Sequence, residues 1–322
     1  MSKLTSKARL LSANSHMRPQ AEWTLDSVEG GKASWVPPKP EDVRVFIGVM
    51  TAATSPGTEP GSKYDYTARR NKARQLWMHL ARRYGHVALA FVVGRSADPG
   101  REAALAAEQR RHGDFMVLPV EDRYDNLSNK TRVYLREVLR QYPNVDYVVK
   151  MDDDVLILPE RLLMAADSWT AMGADYVGCA NKVQPDADPA SRYYNPHHRL
   201  VKTYPLYFHG SNYMLSGRIV RDVILPNFDN LRTARSTEDT ALSWWMLASD
   251  AVFFEDRRLC RLTCDAATVA LADQEHAGFP MEYWDEVMSN PGCTAPAEFP
   301  LPYVPVQYRK YPGLERMHSM MV

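Results

Sequence analysis

The sequence has no long apolar run and few cysteines. No segment approaches the roughly 18 apolar residues that a membrane-spanning helix needs, and the start, MSKLTSKARLLSANSHMRPQ, is too polar for a secretory signal. Only four of the 322 residues are cysteines, which is too few for a disulfide scaffold but allows one or two disulfides. As written, the sequence predicts a soluble chain without a transmembrane segment.

The sequence also lacks an excess of charge of either sign. Its 39 Lys and Arg residues balance 39 Asp and Glu residues, so no global field would attract nucleic acid, and we expect no nucleic-acid partner. No phosphate-binding G-x-x-x-x-G-K-[ST] loop occurs, which disfavours a phosphoryl-transfer enzyme. With 45% hydrophobic residues, the composition is that of an ordinary globular protein.

The order of patterns predicts an α/β fold. Residues 1–41 are rich in Ser, Pro and charge and predict a poorly ordered leader or stem, residues 42–291 predict the folded domain, and residues 292–322 predict an irregular tail. Apolar strands are predicted at 43–50, 87–93, 114–120 and 145–151, with helices at 68–84, 101–112 and 130–142. This alternation indicates a Rossmann-like, mostly parallel sheet with helices on both faces.

Three aspartates, Asp152, Asp153 and Asp154, follow the fourth predicted strand directly. Ligands of such sheets bind beyond the carboxyl ends of the strands. Adjacent carboxylates repel one another unless solvent or a cation compensates them, and a hard divalent ion with a nucleotide diphosphate is a natural partner. A solvated acidic turn is the alternative, but the apolar flanks YVV and VLIL disfavour it.

Basic residues should face such a site if a diphosphate leaves from it, because the developing negative charge must be stabilised. Arg69, Arg70 and Arg74 begin the first predicted helix, just after the first strand and its loop, and so belong to the same edge. A solvated basic helix face is the alternative interpretation for each arginine.

Together, the motifs resemble those of the β-1,3-galactosyltransferase and N-acetylglucosaminyltransferase family of inverting enzymes. Arg70-x-x-x-Arg74-x-x-Trp77 resembles R-x-x-x-R-x-T-W, and Lys150-x-Asp152-Asp153-Asp154 resembles K-x-D-D-D. Further similarities are Phe91 to Gly94 with F-x-x-G, Asp122 to Thr131 with D-x-Y-x-N-L-T-x-K-T, Pro205 to Ser216 with P-x-Y-x-x-G-x-x-Y-x-x-S, and Glu238-Asp239 with E-D-V. The similarity covers about residues 43–280.

This resemblance implies a GT-A type fold, a UDP-sugar donor, Mn²⁺ and inversion at the anomeric carbon. It assigns the catalytic base to Asp239, although spacing alone would favour a helix start capped by Ser236 or Thr237 with acidic residues in its first turn. It assigns Asp154 as the main Mn²⁺ ligand, and His276 is the best candidate for a second ligand.

The resemblance also supplies the remaining candidate residues. The predicted donor-binding residues are Arg70, Arg74, Lys130, Asp152, Asp153 and Glu238, and the predicted substrate pocket contains Tyr207, Gly210 and Tyr213. Gly210 would allow close approach of the backbone to a ligand.

The expected activity is transfer of galactose from UDP-galactose to a glycan or glycoprotein hydroxyl with a β-1,3 linkage. Transfer of N-acetylglucosamine from UDP-N-acetylglucosamine and a catalytically silent carbohydrate-binding relative are the alternatives. Family membership implies the Golgi, whereas the absence of a visible anchor or signal leaves a soluble or cytoplasmic protein as the alternative.

Overall fold

The structure is a computed structural model that describes residues 38–181, 183–191, 193–195, 198–199, 201–233, 237–272 and 283–294. All of them belong to one compact unit, residues 37–322. Of the predicted leader only 38–41 are described, and of the predicted tail only 292–294.

A seven-stranded sheet forms the centre of the described part. Its strands are β1 (Val45–Met50), β2 (Val87–Arg95), β3 (Phe115–Glu121), β4 (Tyr147–Asp152), β6 (Tyr176–Asn181), β7 (Tyr207–Ser216) and β8 (Phe253–Glu255). The spatial order is β3-β2-β1-β4-β7-β6-β8, and only β7 runs against the other six. A separate two-stranded ladder pairs β5 (Leu156–Ile157) with β9 (Ala270–Leu271). The predicted mostly parallel sheet is therefore confirmed.

Helices occupy the connections between these strands. They are α1 (Tyr66–Ala73), α2 (His79–Ala81), α3 (Pro99–His112), α4 (Leu127–Gln141), α5 (Pro159–Met172), α6 (Gly217–Ile219), α7 (Glu238–Leu247), α8 (Trp284–Ser289) and α9 (Pro291–Thr294). Local sequence sets several of their ends. The Asp98 side chain, for example, accepts hydrogen bonds from the first amides of α3, and Gly113 ends that helix at a φ of 66°.

The two faces of the sheet each carry a hydrophobic core, because side chains alternate along a strand. Ile47 and Val49 of β1 join the core that contains Trp77 and Trp169. Phe46 points to the other face, where the core is built with residues of α4 and α7 such as Tyr134 and Leu242. Helices therefore cover both faces, as predicted.

The predicted helix 68–84 differs in one detail. A π-helical turn, Arg74–Met78, joins α1 to α2 and inserts one extra residue into the helical repeat. The buried face consequently moves by one position, so that Met78 and Ala81 are fully buried while Leu80 is only partly buried.

The chain order places a topological switch point between β1 and β4. After β3 at one edge, the chain crosses back and adds β4 to the other side of β1, where Met50 pairs in register with Asp152. The loops that leave β1 and β4 diverge at this point, and a crevice opens between them in doubly wound sheets. Thr51 and Asp153 are the residues that follow.

All four cysteines are paired in two disulfides. Cys179 at β6 is bonded to Cys260, and Cys264 is bonded to Cys293 of α9. Within the described residues, we find no helix with the length and apolar character required to cross a membrane.

Candidate active site

A cavity of about 470 Å³ opens at the carboxyl edge of β1 and β4. Its walls come from the end of β4, the middle of β7, the start of α7 and the segment between β6 and β7. The residues that line it include Lys150, Asp152, Asp154, Gly210, Glu238 and Asp239. The cavity therefore combines two acidic pairs that are distant in sequence.

The three aspartates after β4 have different environments. Asp152 and Asp154 line the cavity, whereas Asp153 is buried beside it. Asp153 accepts hydrogen bonds from Thr51 Oγ1 at 2.6 Å and from Arg69 at 2.8 Å. Arg69 also lies 3.3 Å from Asp154 Oδ2. The predicted ligand cluster thus divides into two cavity carboxylates and one that anchors the turn.

Lys150 lies at the floor of the cavity and contacts both acidic pairs. Its Nζ donates to Asp152 Oδ1 at 2.7 Å, lies 2.8 Å from Glu238 Oε1, and donates to the carbonyl of Gly210. Burial by itself would lower the pKa of Lys150, but the carboxylates of Asp152 and Glu238 raise it above its ordinary value. The two carboxylates therefore favour the charged form of Lys150.

The candidate base Asp239 lies in the first turn of α7. Its Oδ1 accepts a hydrogen bond from the Thr240 amide at 2.7 Å. Burial, followed by repulsion from Glu238, raises the pKa of Asp239 to about 7. Burial also raises the pKa of Asp152 to about 7 against the opposing effect of Lys150, although 42% of the Asp152 side chain is exposed and solvent weakens this shift.

The capping alternative for this helix receives partial support. Thr237 is the N-cap residue, but its side chain makes no capping hydrogen bond, and Ser236 lies outside the described residues. Asp239 faces the cavity as well as the helix start, so its carboxylate is available to a ligand there.

Gly210 of β7 permits the close approach of the two acidic residues of α7. A Cβ at this position would lie 3.2 Å from Asp239 Oδ2 and 3.2 Å from Glu238 Oε1, closer than most such contacts. Tyr207 lines the cavity with Gly210, whereas Tyr213 is fully buried and packs against the ring of Tyr176. Tyr213 therefore supports the wall from behind.

Arg70 and Arg74 do not reach the cavity. Arg70 is 1% exposed and forms a two-pronged pair with Glu108 at 2.9 and 2.6 Å, while Arg74 pairs with Asp114 and Glu108. These four residues form a buried arginine network. The sequence predicted that the two arginines contact a diphosphate. In the structure their guanidinium groups pair with Glu108 and Asp114 and support the fold beside the cavity.

Lys130 of α4 has a similar position. Its Nζ contacts both carboxylate oxygens of Asp122, at 2.8 and 3.0 Å, and donates to the Thr51 carbonyl at 2.7 Å. It thereby connects the ends of β1 and β3 at the rim instead of lining the cavity. The predicted metal ligand His276 lies outside the described residues.

The sequence indicated Arg69 as a basic residue at this edge and Lys150 as part of a motif, but their roles depend on which carboxylates the fold brings near them. Thr51 was not predicted. Thr51 donates to Asp153 and accepts from Arg70 at 3.1 Å, so it connects the arginine network to the aspartate turn. Its position directly after β1 was the available signal.

The chain is similar to proteins of a known family. Residues 68–253 match the family model described as galactosyltransferase. Two relatives from Arabidopsis thaliana, probable beta-1,3-galactosyltransferases 12 and 13, are 29% and 28% identical to the chain. These alignments cover 71% and 73% of the chain, and 60% and 67% of the relatives. The chain therefore spans about 60% of the first relative's length.

One similar solved structure is that of a 4-diphosphocytidyl-2C-methyl-D-erythritol synthase from Anaerococcus prevotii. The alignment covers 76% of this chain and 97% of the synthase chain, with a TM-score of 0.41 and 11% sequence identity. That similarity is too low to inform function. The family match covers residues 68–253 of the sequence. This range includes most of α1, the aspartates after β4 and the acidic start of α7. On that match the chain belongs to the galactosyltransferase family.

Proposed function

We propose that the protein transfers galactose from UDP-galactose to a hydroxyl group of a glycan or glycoprotein acceptor, with inversion and formation of a β-1,3 linkage. The observation that carries this proposal is the cavity at the switch point, which has Asp152 and Asp154 on the β4 side and Asp239 on the α7 side. The names of the Arabidopsis relatives favour galactose over N-acetylglucosamine as the transferred sugar.

The donor set fits Mn²⁺ in part. Asp152 and Asp154 present carboxylate oxygens, which hard divalent ions prefer. Among the described residues, however, no three His, Cys, Asp or Glu side chains converge as a ready-made metal site. We propose that Asp154 binds the ion, with His276 as the second protein ligand and the donor diphosphate completing the shell. A bound ion would neutralise charge on the departing diphosphate.

Inversion requires a base on the side of the sugar opposite the leaving group. In the proposed reaction, Asp239 takes the proton of the acceptor hydroxyl while that oxygen forms a bond to the anomeric carbon. The bond from this carbon to the diphosphate oxygen breaks, and its electron pair leaves with UDP. The raised pKa of Asp239 suits a group that must take up a proton near neutral pH.

The proposed location is the Golgi lumen, as the family implies. The two disulfides support an oxidising compartment, because thiols in the cytosol are usually kept reduced. Blockage of free thiols in protein isolated without reductant tests this point. Two intact disulfides are expected, and four alkylated cysteines would favour a cytosolic protein.

The decisive experiment is a mass-spectrometric product screen. The protein is incubated with Mn²⁺, a library of glycans and glycopeptides, and either UDP-galactose or UDP-N-acetylglucosamine, with a chelator as the metal-free control. We expect a mass gain of one hexose only with UDP-galactose and metal. A gain of one N-acetylhexosamine would assign the other donor, and UDP binding without turnover of either donor would indicate a silent relative.

A further inference from the structure

The described lining of the cavity is strongly acidic. Among its described lining residues, Asp152, Asp154, Asp186, Glu238 and Asp239 are acidic, while Lys150 is the one Lys or Arg. Carboxylates this close repel one another, so the position of each depends on where compensating charge is fixed. Lys150 is 4% exposed and cannot exchange its partners for water.

The ammonium group of Lys150 lies close to three oxygens: it donates hydrogen bonds to Asp152 and the Gly210 carbonyl, and it forms an ion pair with Glu238. An ammonium has three N–H donors, and the three oxygens belong to β4, β7 and α7. These partners come from three segments separated by at least 28 positions in sequence, as from Gly210 to Glu238. Lys150 therefore connects the β4 side of the cavity, which carries Asp152, to the α7 side, which carries Glu238 and Asp239.

The position of Asp239 depends on the contacts that Lys150 makes with Glu238 and the Gly210 carbonyl. Glu238, the direct partner of Lys150, precedes Asp239 in the first turn of α7, and both carboxylates approach Gly210. Lys150 holds the Gly210 carbonyl at the same place. If the ammonium were lost, Glu238 would be buried without its cation, and the first turn of α7 would be free to move away from Asp152.

We propose that Lys150 is a positioning residue that fixes the first turn of α7, and with it Asp239, relative to the aspartates after β4. This inference rests on the proposed function, because it concerns the placement of the proposed base. Lys150 does not touch the acceptor hydroxyl in this role; it acts through Glu238 and the Gly210 backbone. Arginine cannot replace it, since a planar guanidinium does not present three donors to oxygens on three sides.

The test compares Lys150→Met and Lys150→Arg with the wild type. Misplacement of a catalytic group by about 1 Å can cost about 100-fold in rate, and we expect a decrease of that size in kcat for Lys150→Met. UDP-galactose KM should change far less. Lys150→Arg should not restore kcat. A decrease confined to KM, or full activity of either variant, would overturn the inference.

The matched control is Lys72→Met. Lys72 pairs with Asp285 away from the cavity, so this variant also loses a lysine ion pair but should keep wild-type kcat. Circular dichroism and thermal unfolding show whether each variant is folded. A purely structural role for Lys150 would lower the melting temperature and leave kcat of the folded protein unchanged.

A second variant keeps the inference testable if Lys150→Met does not fold. Glu238→Gln retains shape but removes the charge that Lys150 holds, and it should lower kcat with little effect on UDP affinity measured by calorimetry. In the double variant Lys150→Met/Glu238→Gln, the two losses should be less than additive, because both act on the same contact. Additive losses would contradict action through Glu238. Inactivity of the wild type itself would instead refute the proposed function.

Discussion

The arginine network is connected to the cavity through Thr51, yet the balance of acidic and basic groups differs between the two regions. In the arginine network, Arg70 and Arg74 are matched by Glu108 and Asp114, and each guanidinium has carboxylate partners. Among the described residues, five acidic side chains line the cavity, while Lys150 and Arg69 form ion pairs with three of them. Balanced buried charge supports the fold, whereas an excess of acidic groups favours binding of a cation or a proton.

The largest expected effect concerns the cavity side of this comparison. Asp239→Asn removes the proposed base and keeps the shape of the side chain. We expect kcat for galactosyl transfer to fall by about 10²–10⁴-fold, the usual contribution of a general base, while UDP binding measured by calorimetry remains. Asp250→Asn, at an exposed carboxylate, is the matched control and should keep full activity. Full activity of Asp239→Asn would remove Asp239 from the mechanism.

The next effect concerns the arginine network. Arg70→Ala leaves Glu108 buried without one of its two guanidinium partners. Breaking a buried pair in this way costs about 3–5 kcal/mol in the free energy of unfolding, which chemical denaturation measures. The exposed pair of Arg44 with Asp146 is the control, and Arg44→Ala should cost about 1 kcal/mol or less. Equal losses in the free energy of unfolding of both variants would show that the arginine network stabilises the fold no more than an exposed ion pair does.

Asp154→Ala tests whether the acidic cavity binds metal. Loss of this carboxylate should weaken Mn²⁺ binding by at least about 100-fold, because even residues that only support a ligand contribute about 10–100-fold. Calorimetric titration of Mn²⁺ in the presence of UDP measures this change. Asp186→Asn, also at the cavity wall, is the control. Unchanged Mn²⁺ affinity in Asp154→Ala would place the metal elsewhere or exclude it.

The smallest expected effect is a dependence of stability on pH. The pKa values of Asp152 and Asp239 are raised to about 7 in the folded protein, so the folded state holds protons that the unfolded state has already lost. Without metal, these two carboxyl groups should therefore contribute less to the free energy of unfolding as the pH rises from about 4, the ordinary pKa, to about 7. Melting temperature changes by roughly 2–4 °C for each kcal/mol in a chain of this size.

Asp239→Asn removes one of the two titrating groups and should flatten this dependence, whereas Asp250→Asn should leave it unchanged. Thermal unfolding at a series of pH values in a chelating buffer provides the comparison. An unchanged pH dependence in Asp239→Asn would mean that the pKa of Asp239 is not raised in the folded protein.

Local sequence patterns predicted most of the fold but only part of the site. Buried parallel strands such as Val45–Met50 are short β-branched runs, and each ends within a few residues of its predicted end. The shift of the buried face between α1 and α2 was missed, because a π-helical turn carries no regular sequence period. Asp154 and Asp239 entered as candidates through motif resemblance, and the structure places both at one cavity.

The assignment of Arg70 and Arg74 shows where sequence reasoning ends. Their position after β1 correctly indicated the carboxyl edge, but position along a chain does not reveal which charge a side chain meets. Glu108 and Asp114 come from the next βα unit and pair with them only after β2 and β3 have added to the sheet. Ion-pair partners are decided by tertiary proximity, which local pattern does not contain.

By itself, the sequence determined the alternation of strands and helices, the acidic turn after β4 and the acidic start of α7, since each depends on residue type and spacing within a few positions. Only the tertiary structure decided that Lys150 joins these two acidic segments, that Thr51 connects the arginine network to Asp153, and that Asp153 is buried while its neighbours line the cavity. The physical reason is that charge compensation and burial are properties of neighbours in space, and those neighbours come from strands far apart in the chain.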